Sequence, residues 1–315
     1  MKIVIMGGTG VLSTSITKMC IKEGYEVLHF NRGSTRKATE VTTIIGDRYR
    51  TNDLERILQY KPDIIIDMLC FNSHHAEMAV NVFAGKIEQY IYCSTSCVYT
   101  PRVGKEQITE DSPTCPNTDY GLGKMQAEKV FRDAAENKAF HLTIFRPGHI
   151  YGQEFCVSNL DLEGLHLLNR MLNNKPIVLC DNGKRYFQAC HADNLGIAFA
   201  KSCALPAAYE EIFNIAGEEI MTWNEIYEIE KKILKSESKI VYKDASDVIK
   251  KDPVQFDFLN TYTRYDWIQS TEKLKTLVKG YRYRINFIDG VKSFISNNIQ
   301  TIKGCNYMGI YDEIL

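Results

Sequence analysis

The chain of 315 residues has only two tryptophans and eight prolines, and it contains no long apolar run. No stretch approaches the ~20 residues that a membrane-spanning helix needs. After Lys2, only Ile3 to Met6 precede Gly7 and Gly8, too short an apolar core for a secretory signal. An excess of one charge is missing as well. Lys plus Arg total 38 and Asp plus Glu total 39, giving a formal net charge of −1. That balance speaks against a nucleic-acid or membrane-surface binder. The expectation is a cytoplasmic protein with a small-molecule substrate, no nucleic-acid partner and no membrane partner. Ten cysteines are present, but without C-x-x-C pairs or zinc-like Cys/His spacing. They read as reduced thiols, and no metal site is expected. Repeats, low-complexity tracts and Gly/Ser linkers are also absent.

What is present is an alternation. Apolar runs at 2–6, 25–30, 42–45, 63–68, 89–95 and 141–145 read as strands. Helical patterns at 14–23, 52–60, 74–85 and 120–137 separate them. Strands alternating with helices predict right-handed crossovers and a parallel sheet covered on both faces. The expected fold class is therefore α/β, a Rossmann-like doubly wound parallel sheet with a smaller, mostly helical C-terminal substrate domain. The expected division is 1–150 for the dinucleotide-binding domain and 151–315 for the substrate domain, interwoven because segments near 177–216 return to the first. Within 151–315, helices are predicted near 159–173, 193–203, 222–234 and 286–297, with a strand at 212–215. Asp193 is expected to cap the helix it begins. The segment 236–268 has no clear period. The long connection 100–118, with Pro101, Pro113 and Pro116, reads as an irregular loop over the carboxyl edge of the sheet.

Gly7-Gly8-Thr9-Gly10-Val11-Leu12-Ser13 stands where the first strand meets the first helix. Glycines there permit a tight turn and close backbone approach, and the helix N-terminus offers N–H groups to a pyrophosphate. Ser13 replaces the third glycine of the usual fingerprint, a position that serves helix–strand packing. At the end of the second strand, Asn31-Arg32-Gly33 carries no carboxylate, and Arg32 could pair with a 2′-phosphate. The expected cofactor is NADP, with NAD as the alternative. Asp47 and Arg48, after the third strand, are positioned to reach the adenine.

Tyr120 and Lys124 lie four residues apart at a helix start, so their side chains share one face. A tyrosine becomes a useful acid/base only when a cation stabilises its phenolate. Ser94-Thr95-Ser96-Cys97-Val98-Tyr99 closes the fifth strand, where a hydroxyl can hold a carbonyl or alkoxide.

Together with Arg146-Pro147-Gly148-His149-Ile150-Tyr151-Gly152, His191-Ala192-Asp193-Asn194-Leu195 and Phe213-Asn214-Ile215-Ala216-Gly217, these motifs occur in one order. In that order the chain resembles the extended short-chain dehydrogenase/reductases of the NAD-dependent epimerase/dehydratase family, over essentially its whole length. The resemblance implies catalytic roles for Thr95, Tyr120 and Lys124, with Tyr120 as acid/base and Lys124 lowering its pKa. It implies dinucleotide contacts from Gly7, Thr9, Gly10, Val11, Leu12, Asn31, Arg32, Asp47, Arg48, Leu69, Tyr120, Lys124, Pro147 and His149. Family dehydratases carry an Asp-Glu pair after the catalytic threonine, and Ser96 and Cys97 stand there instead. The resemblance therefore favours an epimerase or oxidoreductase acting on a secondary alcohol or ketone, of nucleotide-sugar type. A reductase of non-sugar carbonyls and a non-catalytic, regulatory or RNA-associated dinucleotide binder stay open. A homodimer paired through the Tyr120 helix, with Met125, Ala127 and Val130 at the seam, is also implied.

Overall fold

The structure is a computed structural model, and it describes residues 1–34, 41–305, 311, 312, 314 and 315. Seven strands form one parallel sheet: β1 (Lys2–Met6), β2 (Glu26–Asn31), β3 (Thr43–Ile45), β4 (Ile64–Asp67), β5 (Gln89–Cys93), β6 (His141–Pro147) and β11 (Glu211–Ile215). Their spatial order is β11-β6-β5-β4-β1-β2-β3. The order reverses beside β1, which places a crevice above the carboxyl ends of β1 and β4, the usual ligand position in such sheets. The alternation read from the sequence gives this fold class.

The central strands are buried on both faces, which explains why their sequences are continuous apolar runs. In β1, Ile3, Val4, Ile5 and Met6 are wholly buried. Ile3 and Ile5 pack with Leu12 and Ile16 of α1 (Val11–Lys22) and with Leu195 and Phe199 of α6 (Ala192–Ser202). Val4 and Met6 face the opposite layer, with Ala76 and Phe83 of α3 (Ser73–Phe83) and Ala127 and Phe131 of α4 (Asp119–Glu136). Each fully buried aliphatic side chain contributes roughly 1.5–3 kcal/mol. Between β3 and β4, the predicted helix 52–60 is a short α2 (Thr51–Glu55) continued as a 3-10 turn, Arg56–Tyr60.

The C-terminal half adds three two-stranded ribbons. They are β7 (His149–Tyr151) with β10 (Ala189–His191), β8 (Ile177–Cys180) with β13 (Ile240–Lys243), and β9 (Tyr186–Phe187) with β12 (Met221–Thr222). Helices α5 (Leu165–Leu172), α7 (Trp223–Leu234), α8 (Ala245–Lys251), α9 (Glu272–Leu277) and α10 (Phe287–Gly304) complete it. A π-helical turn, Leu259–Thr263, occupies the segment whose sequence shows no period. The cap of α6 differs from expectation. His191 is the cap, its ring accepting from the Asp193 N–H, while the Asp193 carboxylate accepts from Ser15 Oγ at 2.6 Å. Asp193 therefore ties α6 to α1. All ten cysteines are free thiols, seven of them buried. Among the described residues, no helix is long and apolar enough to cross a membrane and no cluster could hold a metal ion.

Candidate active site

The glycine turn is shaped by what lies beneath it. Gly7 and Gly8 have φ of 117° and 93°, a region that favours glycine. A Cβ at Gly8 would collide with the His29 ring, which is fully buried on β2. Thr17 Oγ1 donates to the Ser13 carbonyl at 2.8 Å, so it accepts from His29 Nε2, also at 2.8 Å. That fixes the ring under the turn. Ser13, in the third-glycine position, donates to the Gly10 carbonyl and accepts from the Gly10 N–H at 2.9 Å. It closes the helix entrance instead of only filling space.

Asn31 locks the end of β2 to the same turn, donating to the Gly7 carbonyl and accepting from the Gly33 N–H. Arg32, between them, is exposed. Thr9 and Val11 are half-buried at the rim, and Leu12 is buried below it. Asp47 is half-buried, its carboxylate accepting from the Tyr49 N–H. Arg48, whose position in the chain suggested reach to the adenine, lies buried. It is 4% exposed, and its guanidinium donates to Asp67 at 3.0 Å and to the carbonyls of Leu69 and His75. It braces the backbone that presents Leu69, whose side chain lies beside Gly7.

Helix α4 brings the catalytic candidates to the carboxyl edge. Thr118 caps it, accepting from the Gly121 N–H at 3.0 Å. Glycine inside a helix costs about 1 kcal/mol relative to alanine, yet α4 opens Tyr120-Gly121-Leu122-Gly123-Lys124. A Cβ at Gly121 would strike the Cys97 carbonyl, and one at Gly123 the Phe71 carbonyl. The two glycines thus let α4 lie directly on the loops after β4 and β5. Lys124 is 2% exposed and donates to the Cys93 carbonyl at 2.8 Å. Its ammonium lies 4.8 Å from the Phe71 ring centre, 5.0 Å from that of Tyr92 and 5.9 Å from that of Tyr120. Burial lowers its pKa. Burial also pushes the Tyr120 phenol up, while a hydrogen bond with Thr95 pulls the other way. Tyr120 as a whole residue is 47% exposed.

Thr95, Tyr120 and Lys124 line a single cavity of about 920 Å³, together with Val11, Leu12, Pro147 and His149. Val11 and Leu12, at the start of α1, and the catalytic candidates therefore open into one space, whereas Gly7, Thr9, Gly10, Asn31, Arg32, Asp47, Arg48 and Leu69 do not line it. Its far wall comes from the C-terminal half, through Leu162, Asp257, Phe258 and Tyr262. Ser96 Oγ lies 3.0 Å from the Tyr262 hydroxyl, and burial raises the Cys97 thiol, so neither supplies a carboxylate-like acid. Ala127 is fully buried, and Met125 and Val130 pack against core residues, so all three serve the packing of α4.

One support is absent from the sequence-based set. Glu128, a turn beyond Lys124, accepts from Arg146 through both oxygens at 2.9 and 2.6 Å, and from Ser94 Oγ at 2.5 Å. Arg146 also donates to the Tyr99 hydroxyl at 3.0 Å and the Glu110 carbonyl at 3.1 Å. This buried pair fixes the face of α4 against β5 and β6. The eight-residue spacing of Tyr120, Lys124 and Glu128 along one helical face was the available signal.

The family model of the NAD dependent epimerase/dehydratase family matches residues 3–216. Among curated proteins, the chain is 25% identical over 312 residues to chloroplast stem-loop binding protein of 41 kDa b from Arabidopsis thaliana, covering 92% of this chain and 77% of that one. It is 22% identical over 237 residues to 2′-dehydrokanamycin reductase of Streptomyces kanamyceticus, covering 72% and 65%. Among solved structures, UDP-glucuronic acid 4-epimerase from Bacillus cereus in complex with NAD superposes with a TM-score of 0.76 at 18% identity, covering 96% of this chain and all of that one. With a family model matched across more than half of its length, the chain belongs to the NAD dependent epimerase/dehydratase family.

Proposed function

We propose that the protein catalyses NAD(P)-dependent oxidoreduction between a secondary alcohol and its ketone, either as a net reaction or as the two halves of an epimerisation. The observation that carries this reading is the convergence of Thr95, Tyr120 and Lys124 on the cavity that Val11 and Leu12, at the start of α1, also line. The start of α1 suits a dinucleotide, because Gly10 leads into a helix N-terminus whose first N–H groups have no partner within the helix. Gly7, Thr9, Gly10, Val11 and Leu12 would hold the pyrophosphate, and Asn31 and Arg32 the adenosine ribose. An exposed guanidinium at Arg32 supports NADP over NAD. When bound, the nicotinamide accepts or supplies the hydride. In the reductive direction Tyr120 gives its phenolic proton to the developing alkoxide, and Thr95 holds the same oxygen. In the oxidative direction the phenolate takes the hydroxyl proton as the carbon-bound hydrogen leaves with its electron pair. The Lys124 ammonium steadies that phenolate from the buried side.

Replacing Tyr120 by Phe tests the assignment. Turnover of sugar alcohols and keto sugars should fall by about 10²–10⁴-fold, the usual worth of a general acid/base, with dinucleotide affinity kept. Unaltered turnover would overturn it. A second reading, RNA association, is favoured by the match along 92% of the chain to a stem-loop binding protein. Filter binding to stem-loop RNA tests that reading, and salt-resistant, structure-specific retention would support it. Homodimer formation is part of the proposal. Sedimentation should show a species of twice 36.1 kDa, and a lone 36.1 kDa species would reject it.

A further inference from the structure

Lys124 carries its ammonium into the protein interior with few polar partners. It is 2% exposed, and the one hydrogen bond of its ammonium among the described residues goes to the Cys93 carbonyl at 2.8 Å. An ammonium has three donors. The charged and titratable groups around it are Cys93 and Tyr92 of β5, Asp67 and Cys70 at and beyond the end of β4, Arg48 after β3, His75 of α3 and Tyr120 of its own helix. Asp67 is engaged elsewhere, accepting from Arg48 at 3.0 Å and from the Tyr90 hydroxyl at 2.6 Å. Glu128, a turn along α4, is engaged by Arg146 and Ser94. A cation buried without a carboxylate partner is pressed toward its neutral form, and burial does lower the Lys124 pKa.

Aromatic faces stand where that partner would be. Nζ lies over the Phe71 ring at 4.8 Å from its centre and over the Tyr92 ring at 5.0 Å. The face of such a ring is its negative side, and it attracts a cation within about 6 Å. Phe71 is set there by its backbone. Its N–H donates to His75 Nδ1 at 3.2 Å, and its carbonyl lies against Gly123, the residue before Lys124. Yet Phe71 is 40% exposed and lines the cavity. An aliphatic side chain would pack that wall equally well, whereas only a π face answers a buried cation. The Phe71 ring also stands 6.5 Å from the Tyr120 ring, tilted by 45°, so the ammonium and the two rings form one group.

We propose that Phe71 is a positioning residue that acts through Lys124: its ring, together with that of Tyr92, holds the ammonium as a cation beside Tyr120. The proposal rests on the oxidoreductase reading and adds a residue to it from the loop after β4, outside the Thr95, Tyr120 and Lys124 set.

Pentafluorophenylalanine in place of Phe71 tests it, because fluorination reverses the polarity of the ring face while a ring still fills the wall. Lysine labelled with carbon-13 at Cε reports the charge of Lys124 directly, its resonance assigned through Lys124→Met. With the fluorinated ring, Lys124 should titrate about one pH unit lower than in the parent, the size of one desolvated cation–π contact. The oxidative pH–rate profile should move to higher pH, because fewer molecules carry the cation that steadies the phenolate. Phe71→Tyr, which keeps a π face, should leave the midpoints of both curves where the parent has them. A Lys124 titration or an oxidative profile that ignores fluorination would overturn the proposal, as would Phe71→Tyr behaving like the fluorinated ring. The lysine titration needs no substrate, so the two readings fail separately. An unmoved Lys124 leaves Tyr120 its role, whereas a moved Lys124 with turnover insensitive to Tyr120→Phe removes the oxidoreductase reading and the role of Phe71 with it.

Discussion

Tyr120 and Lys124 sit one helical turn apart, and burial acts on them in opposite directions. The phenol is pushed up and the ammonium down, so each group is driven toward its neutral form. A protonated phenol is the form that reduction needs. Reduction should therefore hold its rate across neutral pH, whereas oxidation should accelerate as pH rises and phenolate forms, which paired initial-rate profiles would check. Lys124→Met should raise the apparent pKa of the oxidative profile, because the phenolate loses its nearest cation; an unmoved profile would contradict the pairing. Arg32 makes a separate prediction. Arg32→Ala should weaken NADPH by about 10–100-fold, the range of one charged hydrogen bond, and leave NADH nearly unchanged. Equal losses for both would remove the 2′-phosphate contact.

At the scale of elements, the site depends on close approaches that only certain residues permit. Gly8 has a φ of 93° and lies on the His29 ring. Gly8→Ala should cost at least about 1–2 kcal/mol from the backbone alone and abolish dinucleotide binding, as a melting curve and a titration would show. Glu128→Gln leaves Arg146 buried beside a neutral amide. Loss of a buried pair of this kind costs about 3–5 kcal/mol, and a change below 1 kcal/mol would show that the pair does not hold α4. Much of this scale was legible in the sequence. The strand–glycine–helix order, the helix that starts at Tyr120 and the return of β11 all follow from local pattern. The His191 cap was not legible, because which side chain reaches the α6 N–H groups depends on how α6 lies against α1. The Arg48–Asp67 pair was not legible for a similar reason: sequence puts Arg48 after β3, but only the packed sheet shows Asp67 beside it. Glu128 escaped notice because its partner, Arg146, comes from β6, a separate element.

For the whole molecule, the C-terminal half buries the Glu230 carboxyl without a cation beside it. Glu230 is fully buried, Oε2 has no partner, and burial holds its pKa well above the usual carboxylate value. Below the unfolded value near 4.5 both states are protonated and the group is neutral in stability. As pH rises above it, the unfolded chain ionises first, so stability falls by up to ~1.4 kcal/mol per pH unit until the folded value is reached. Glu230→Gln should melt higher than the parent at pH 8, by a margin that shrinks toward pH 5. A constant margin would contradict the sign. Asp161 is shifted in the same direction and keeps part of the slope in that variant. The region that closes the cavity should thus loosen with rising pH.

The central claim is that one cavity joins dinucleotide and substrate through Tyr120. Label transfer from NADPH deuterated at C4 tests it most directly, in the parent and in Tyr120→Phe with hydroxylated and aminated keto sugars. The account predicts deuterium at the new carbinol carbon with the parent, and loss of that label with Tyr120→Phe despite retained NADPH binding. Equal label transfer by both proteins would contradict it.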